Sequence, residues 1–183
     1  SAGKGTPAVK VWKDGSKSSA KVVTGNAEAI SAENWQGKSY SAANKVNIAD
    51  YFEENTQYHY QYTDNYTGDD SIWSAEYDYT TKATDKFSVI LTGDPQVGAS
   101  GSSSDKSAND ASVARDAYNW NKTMQQALKT CPDASFLLSA GDQINQSGAA
   151  KDDDKKTRES EYAGYLYPSV FRSLPIAATI GNH

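Results

Sequence analysis

Cysteine is nearly absent: one residue, Cys131, excludes an internal disulfide framework. Methionine occurs once, and histidine only at positions 59 and 183. No apolar run approaches the roughly 20 residues that a membrane-spanning helix needs. Basic clusters are missing too. With a net charge of -5 and a pI of about 5.0, stable binding to nucleic acid through phosphate contacts is not expected. No secretory leader is visible in the opening "SAGKGTPAVK", which has no apolar centre and no initiator Met. We therefore expect the start to have been removed or to lie outside the chain.

At 183 residues the chain can hold one medium domain or two small ones and bury a real core. Its 12 Tyr and 4 Trp stand among many Ser, Thr, Asn, Asp and Gly residues. That palette suits surface-exposed β modules, so an extracellular or cell-envelope location is expected.

Two textures divide the sequence near residue 84. Residues 1–83 read as β structure. "YHYQY" puts Tyr58, Tyr60 and Tyr62 on one strand face with His59 and Gln61 on the other. "IWSAEYDYT" aligns Trp73, Ala75, Tyr77 and Tyr79 in the same way. The Asp-Gly of "VWKDGSK" and the loop "TDNYTGDDS" are turn signals. A small antiparallel sandwich fits. Thr56, Tyr58 and Tyr60 match the T-x-Y-x-Y pattern of a tyrosine corner. The tyrosine stripe is read as sandwich core with polar tips, although a sugar-stacking platform is the functional alternative. His59 is read as a strand-face residue.

Residues 84–183 read as α/β. "FSVILTGD" (87–94) is a nearly continuous apolar run, as expected of a strand buried on both faces. Val113, Ala117, Trp120, Met124, Ala127, Leu128 and Cys131 recur at helical spacing, with Asp110 or Ser112 as a possible cap and Pro132 as the stop. "SFLLSAGD" is a second buried strand. A polar loop (143–157) leads to a second helix in "ESEYAGYLYPSVFRSL", and 176–180 supply a third strand. "KDDDKK" (151–156) lacks the spaced oxygen ligands and turn glycine of a calcium loop and reads as a solvated charge run. The order βαβαβ predicts a parallel sheet with right-handed crossovers.

In such sheets ligands bind outside the carboxyl ends of the strands. Each predicted strand ends there in polar residues: Asp94 and Gln96, then Asp142, then Asn182 and His183. A lone Gly-Asp after a strand is an ordinary turn; three polar ends in one unit must converge. Two carboxylates, two amide oxygens and an imidazole suit hard or borderline divalent metals. A two-metal site needs ions about 3.5–4 Å apart and so a bridging ligand. Asp142 on a central strand can bridge, Asp94 can hold one ion, and Asn182 can offer an amide oxygen to the other. His183 can protonate a leaving oxygen. Loops 99–110 and 143–157 can line the cleft.

"GDPQ…GDQIN…GNH" on this strand order resembles the first half of the calcineurin-like metallophosphoesterases. Their pattern runs D-x-H or D-x-Q, G-D-x-x, G-N-H-D/E, a lone His, and G-H-x-H. The spacing is typical, with 48 residues from Asp94 to Asp142 and 40 from Asp142 to Asn182. "KVNIADYFEENTQYHYQYTDN…SIWSAEYDYTT" resembles the N-terminal fibronectin-type domain of purple acid phosphatases. The two resemblances cover residues 7–183. They imply a fibronectin III-like β sandwich (1–83) followed by the first half of an αββα sandwich (84–183).

The family implies that Asp94 and Gln96 bind the first metal, Asp142 bridges, and Asn182 binds the second. His183 would contact the substrate phosphate and protonate the leaving group. Two divalent ions (Mn, Zn or Fe) would serve the hydrolysis of a phosphomonoester or phosphodiester, with in-line attack by a metal-bound hydroxide. Asn145 stands where purple acid phosphatases carry a tyrosinate ligand, which disfavours Fe(III) and leaves Asn145 as a substrate-loop candidate. Gln96 in place of His selects the D-x-Q branch. The family's later histidines have no counterpart here, so the chain is expected to be an N-terminal fragment, inactive alone. It would associate with the missing half as a separate chain, or with itself. The β module also looks clipped at its start. A reading of another class is a non-catalytic adhesion module on a degenerate phosphoesterase scaffold.

Overall fold

The computed structural model describes residues 1, 3, 5–101, 106–146 and 152–182. Contacts group them into two units: Ser1–Ser31 with Tyr40–Lys86, and Ala32–Ser39 with Phe87–His183.

In the first unit, β1 (Ala8–Lys13), β2 (Lys21–Thr24), β5 (Gln57–Thr63) and β6 (Tyr77–Thr80) form an antiparallel sheet in the order β2-β1-β5-β6. The pair β3 (Asn26–Glu33) and β4 (Ser39–Lys45) forms a separate two-stranded sheet. β1 turns at Gly15, whose φ of 73° suits glycine. The alternation along β5 holds. Tyr58 is buried, Tyr60 half-buried and Tyr62 exposed, so the stripe runs from core to surface. Phe52 packs edge-on to Tyr58 with ring centroids 4.8 Å apart. The Glu53 N–H donates to the Tyr58 hydroxyl at 2.8 Å, five residues upstream. On the opposite face His59 sits across from Trp12 and stacks on it at 5.9 Å.

The strand predicted over 72–80 is shorter than expected and begins at Tyr77. Ser74 takes the place of a longer ladder. Its N–H donates to the Tyr62 carbonyl at 2.9 Å, and its hydroxyl accepts the Tyr62 N–H at 3.0 Å. Its carbonyl accepts Gln61 Nε2 at 2.8 Å.

The second unit follows the predicted order: β7 (Ser88–Thr92), α1 (Lys106–Thr130), β8 (Ala134–Ser139), α2 (Asp152–Tyr165) and β9 (Ile176–Ala178). Its sheet is parallel in the order β7-β8-β9, so β8 is central. One face, with Leu137 between Ile90 and Ile176, packs on Val113, Trp120 and Met124 of α1 and on Tyr165 and Leu174. Trp120 stacks on Tyr165 at 5.7 Å and donates its Nε1–H to the Tyr165 carbonyl at 3.0 Å. The segment Ala32–Ser39 joins this unit through Trp35, edge-on to Tyr167 at 5.5 Å.

Several expectations need correction. β7 is not buried on both faces: Phe87 and Leu91 are 59% and 67% exposed, because the helices α1 and α2 pack on the opposite side of the sheet. Neither Asp110 nor Ser112 caps α1, which starts at Lys106. The Ser112 hydroxyl instead bonds back to the carbonyls of Ala108 and Gly101, the side-chain-to-backbone option open to serine inside a helix. α2 begins at Asp152, inside the charge run and the predicted loop, and ends before Pro168. Its helical state follows from packing of its second half, where Ser160, Glu161 and Tyr165 are buried, more than from local pattern. Among the described residues no helix is long and apolar enough to cross a membrane.

Candidate metal centre

The segments that leave β7 and β8 do not separate. Asp94 N–H donates to the Gly141 carbonyl at 3.2 Å, Gln96 N–H to Asp142 at 2.9 Å and Val97 N–H to Gln143 at 3.1 Å. Asn145 N–H returns to Val97 at 3.1 Å, and Val97 pairs with Ile144 as a parallel bridge. The ladder thus continues past both strand ends and sets Asp94 and Gln96 beside Asp142 at the carboxyl edge.

This continuation is bent. Among the described residues four non-glycine residues have positive φ, and three of them are Asp94 (57°), Gln96 (36°) and Asp142 (49°). The fourth is Asn55 in the β unit. Each such residue costs on the order of 1–3 kcal/mol, and strain of this kind collects at functional sites. Val97 and Ile144, both fully buried, anchor the strained segments on the core.

The third strand end approaches the second. Gly181 lies against Asp142 so closely that a Cβ would overlap the Asp142 carboxylate and backbone nitrogen. Asn182, the next residue, is exposed. Asp94 is exposed, and Gln96, Asp142 and Asn145 are half-buried. His183 lies outside the described residues, as do parts of both predicted cleft loops (102–105 and 147–151).

Three residues behind the edge escaped the reading of the sequence. Gln143 is buried and its Nε2 donates to Ser139 Oγ at 3.0 Å and to the Thr179 carbonyl at 2.7 Å, tying β8 to the end of β9. Asp116 on α1 accepts the N–H groups of Gly98 and Ser100. Glu161 on α2 accepts that of Gln146. Glu161 carried a legible signal: with Gly164 and Tyr165 it falls on the buried face of α2, where a carboxylate is out of place.

The donors gathered at the edge are oxygens: the carboxylates of Asp94 and Asp142 and the amides of Gln96 and Asn182. In kind they fit a hard divalent ion. In number they fall short of two complete shells, and among the described residues no group of three or more His, Cys, Asp or Glu side chains gathers to hold a metal.

The fold and the edge together define a parallel α/β unit with an oxygen-rich edge at the carboxyl ends of its strands, preceded by a β unit of antiparallel strands. The same succession occurs in a solved structure. Over 98% of its length the chain is similar to the purple acid phosphatase isolated from yellow lupin (Lupinus luteus) seeds, with a TM-score of 0.55 and 17% sequence identity. The chain spans 31% of that protein. At this identity the likeness is one of fold. No family model and no curated protein matches the sequence.

Proposed function

We infer that this chain carries the metal-binding edge of a phosphoester hydrolase of the calcineurin-like class, D-x-Q branch. One observation carries the reading. Among the described residues, three of the four left-handed non-glycine residues are the proposed ligands Asp94, Gln96 and Asp142, and backbone hydrogen bonds hold them side by side.

Asp94 and Gln96 would hold one divalent ion, Asp142 would lie between two, and Asn182 would hold the second. Bound there, Mn, Zn or Fe would polarise a phosphoryl oxygen and acidify water. His183 would face the substrate oxygens and serve the leaving group, and Asn145 would border the substrate. Residues 1–83 are read as a fibronectin III-like sandwich; the Tyr58 hydroxyl held by the backbone at Glu53 supports this, since it is the bond of a tyrosine corner. Residues 84–183 are read as part of an αββα sandwich. The exposed sheet face bearing Phe87, Val89 and Leu91 supports that, because a second layer would cover it. The covering partner would be the rest of the domain or a second copy. The tyrosine- and serine-rich composition supports an extracellular or cell-envelope setting.

Hydrolysis of 4-nitrophenyl phosphate and its bis ester by the full-length protein, with Mn(II) or Zn(II), tests the reading. Asp142→Ala should lower turnover by at least ~10²-fold, since even outer-shell partners of a metal cost 10–100-fold. Unchanged turnover in that variant would overturn the assignment.

A further inference from the structure

Among the described residues the backbone lacing between the two proposed ligand-bearing segments runs as far as Val97 and Asn145. At the next residue on each side a helix carboxylate takes over. Asp116 Oδ2 on α1 accepts the Gly98 N–H at 2.9 Å and the Ser100 N–H at 3.2 Å. Glu161 Oε2 on α2 accepts the Gln146 N–H at 2.7 Å. The other oxygen of Glu161 presses on Gly98, where a Cβ would overlap the carboxylate and where φ is +106°, so glycine is required twice over. Glu161 therefore touches the continuation of β7 and the continuation of β8 together.

Glu161 is 3% exposed. Burying a carboxylate is costly unless it is hydrogen-bonded, and a leucine on that face of α2 would fill the space without the cost. Charge-assisted bonds to backbone N–H groups are short and strong, and they fix backbone orientation. Strained residues persist only when their surroundings over-determine them. Here the surroundings of Asp94, Gln96 and Asp142 are closed on the far side by these two carboxylates.

We propose that Asp116 and Glu161 are positioning residues, which clamp the segments after β7 and β8 from behind so that Asp94, Gln96 and Asp142 present their oxygens at one edge. The proposal deepens the metal-centre reading and rests on it for its functional meaning. Neither residue is among the proposed ligands. Each acts through the backbone, as second-layer partners orient metal ligands.

The test uses the 183-residue chain labelled with ¹⁵N, in wild-type, Asp116→Ala, Glu161→Leu and Glu161→Gln forms. Asp116→Ala keeps a strong helix former on α1, so it retains the fold even if Glu161→Leu does not. Amide hydrogen exchange is read first, without metal. The Gln96 and Val97 amides should exchange at least ~10-fold faster in Asp116→Ala and Glu161→Leu, while those of Leu137 and Leu138 in β8 keep their rates. Glu161→Gln should recover part of the protection, because its amide oxygen can still accept from Gln146. Mn(II) is then titrated. Broadening of the Asp94, Gln96 and Asp142 signals should need about tenfold more Mn(II) in the two truncated variants. Exchange at Gln96 and Val97 that matches wild type in both variants, or that rises equally across β8, would overturn the clamp. Wild type whose Asp94 and Asp142 signals ignore Mn(II) would instead sink the metal-centre reading, and the exchange rates would still decide the clamp.

Discussion

Gly181 lies against the carboxylate of Asp142, with no room between them for a methyl group. The end of β9 is thus a wall for the residue that follows the central strand. Adding a Cβ by Gly181→Ala must move either Asp142 or the segment carrying Asn182. A displacement of about 1 Å at a reacting centre can cost ~10²-fold in rate. We expect Gly181→Ala to lower phosphoester turnover of the full-length protein by that order. Its melting temperature should fall as well, because the added Cβ overlaps the Asp142 backbone nitrogen and not the carboxylate alone. Wild-type turnover in this variant would show that the contact has no bearing on the chemistry.

Both ring nitrogens of His59 meet carboxylates: Nδ1 lies 2.7 Å from Asp78 and Nε2 3.0 Å from Asp14. Only the imidazolium donates from both nitrogens. The hydrogen bond to Asp14 raises the His59 pKa above its usual 6.5; burial opposes it, and Asp78 and Glu76 add to the rise. Lys17, 2.8 Å from Glu76, adds a further positive charge to the cluster. Because the folded pKa exceeds the unfolded one, the stabilisation is complete below pH ~6.5 and fades as pH rises through the folded value. Thermal melts of wild type and His59→Gln between pH 5 and 9 should therefore differ most at low pH and converge at high pH. A gap that widens with pH would contradict the assignment.

The Tyr58 hydroxyl accepts the Glu53 backbone N–H at 2.8 Å. Tyr58→Phe keeps the ring packed on Phe52 and removes only that bond. A cost of about 1 kcal/mol is expected, read from the urea midpoint of the β unit. A change near zero would mean that water replaces the hydroxyl freely, and the corner would then contribute nothing to stability.

Leu91, Val89 and Phe87 share a sheet face that is open on this chain. Apolar faces of this kind drive association. Light scattering should report species above the 19.8 kDa monomer, and Leu91→Asp should return the chain towards the monomer. A monodisperse wild-type monomer would remove this support for a covering partner.

Much of the second unit was legible. Its strands announced themselves as apolar runs, and α1 did so through Val113, Ala117, Trp120 and Met124, since burial on one face imposes a period on sequence. α2 was misread at its start because a charge run has no such period, and packing further along the helix decided it. The strand before Tyr77 was overcalled for a related reason. An alternating pattern shows which residues share a face, but not that a serine side chain has replaced the ladder.

For the candidate centre the division is similar. Sequence alone determined which donors follow each strand, because motif residues at strand ends are local facts: Asp94, Gln96, Asp142 and Asn182 could be named from their order. Only the tertiary structure decided that the segments after β7 and β8 stay hydrogen-bonded beyond their strands, that three of these residues take the left-handed conformation, and that Glu161 stands beneath Gly98. Those relations join residues up to 63 positions apart, as Gly98 and Glu161 are, and no local pattern encodes such a distance. They arise because a buried backbone must find partners wherever the fold brings them.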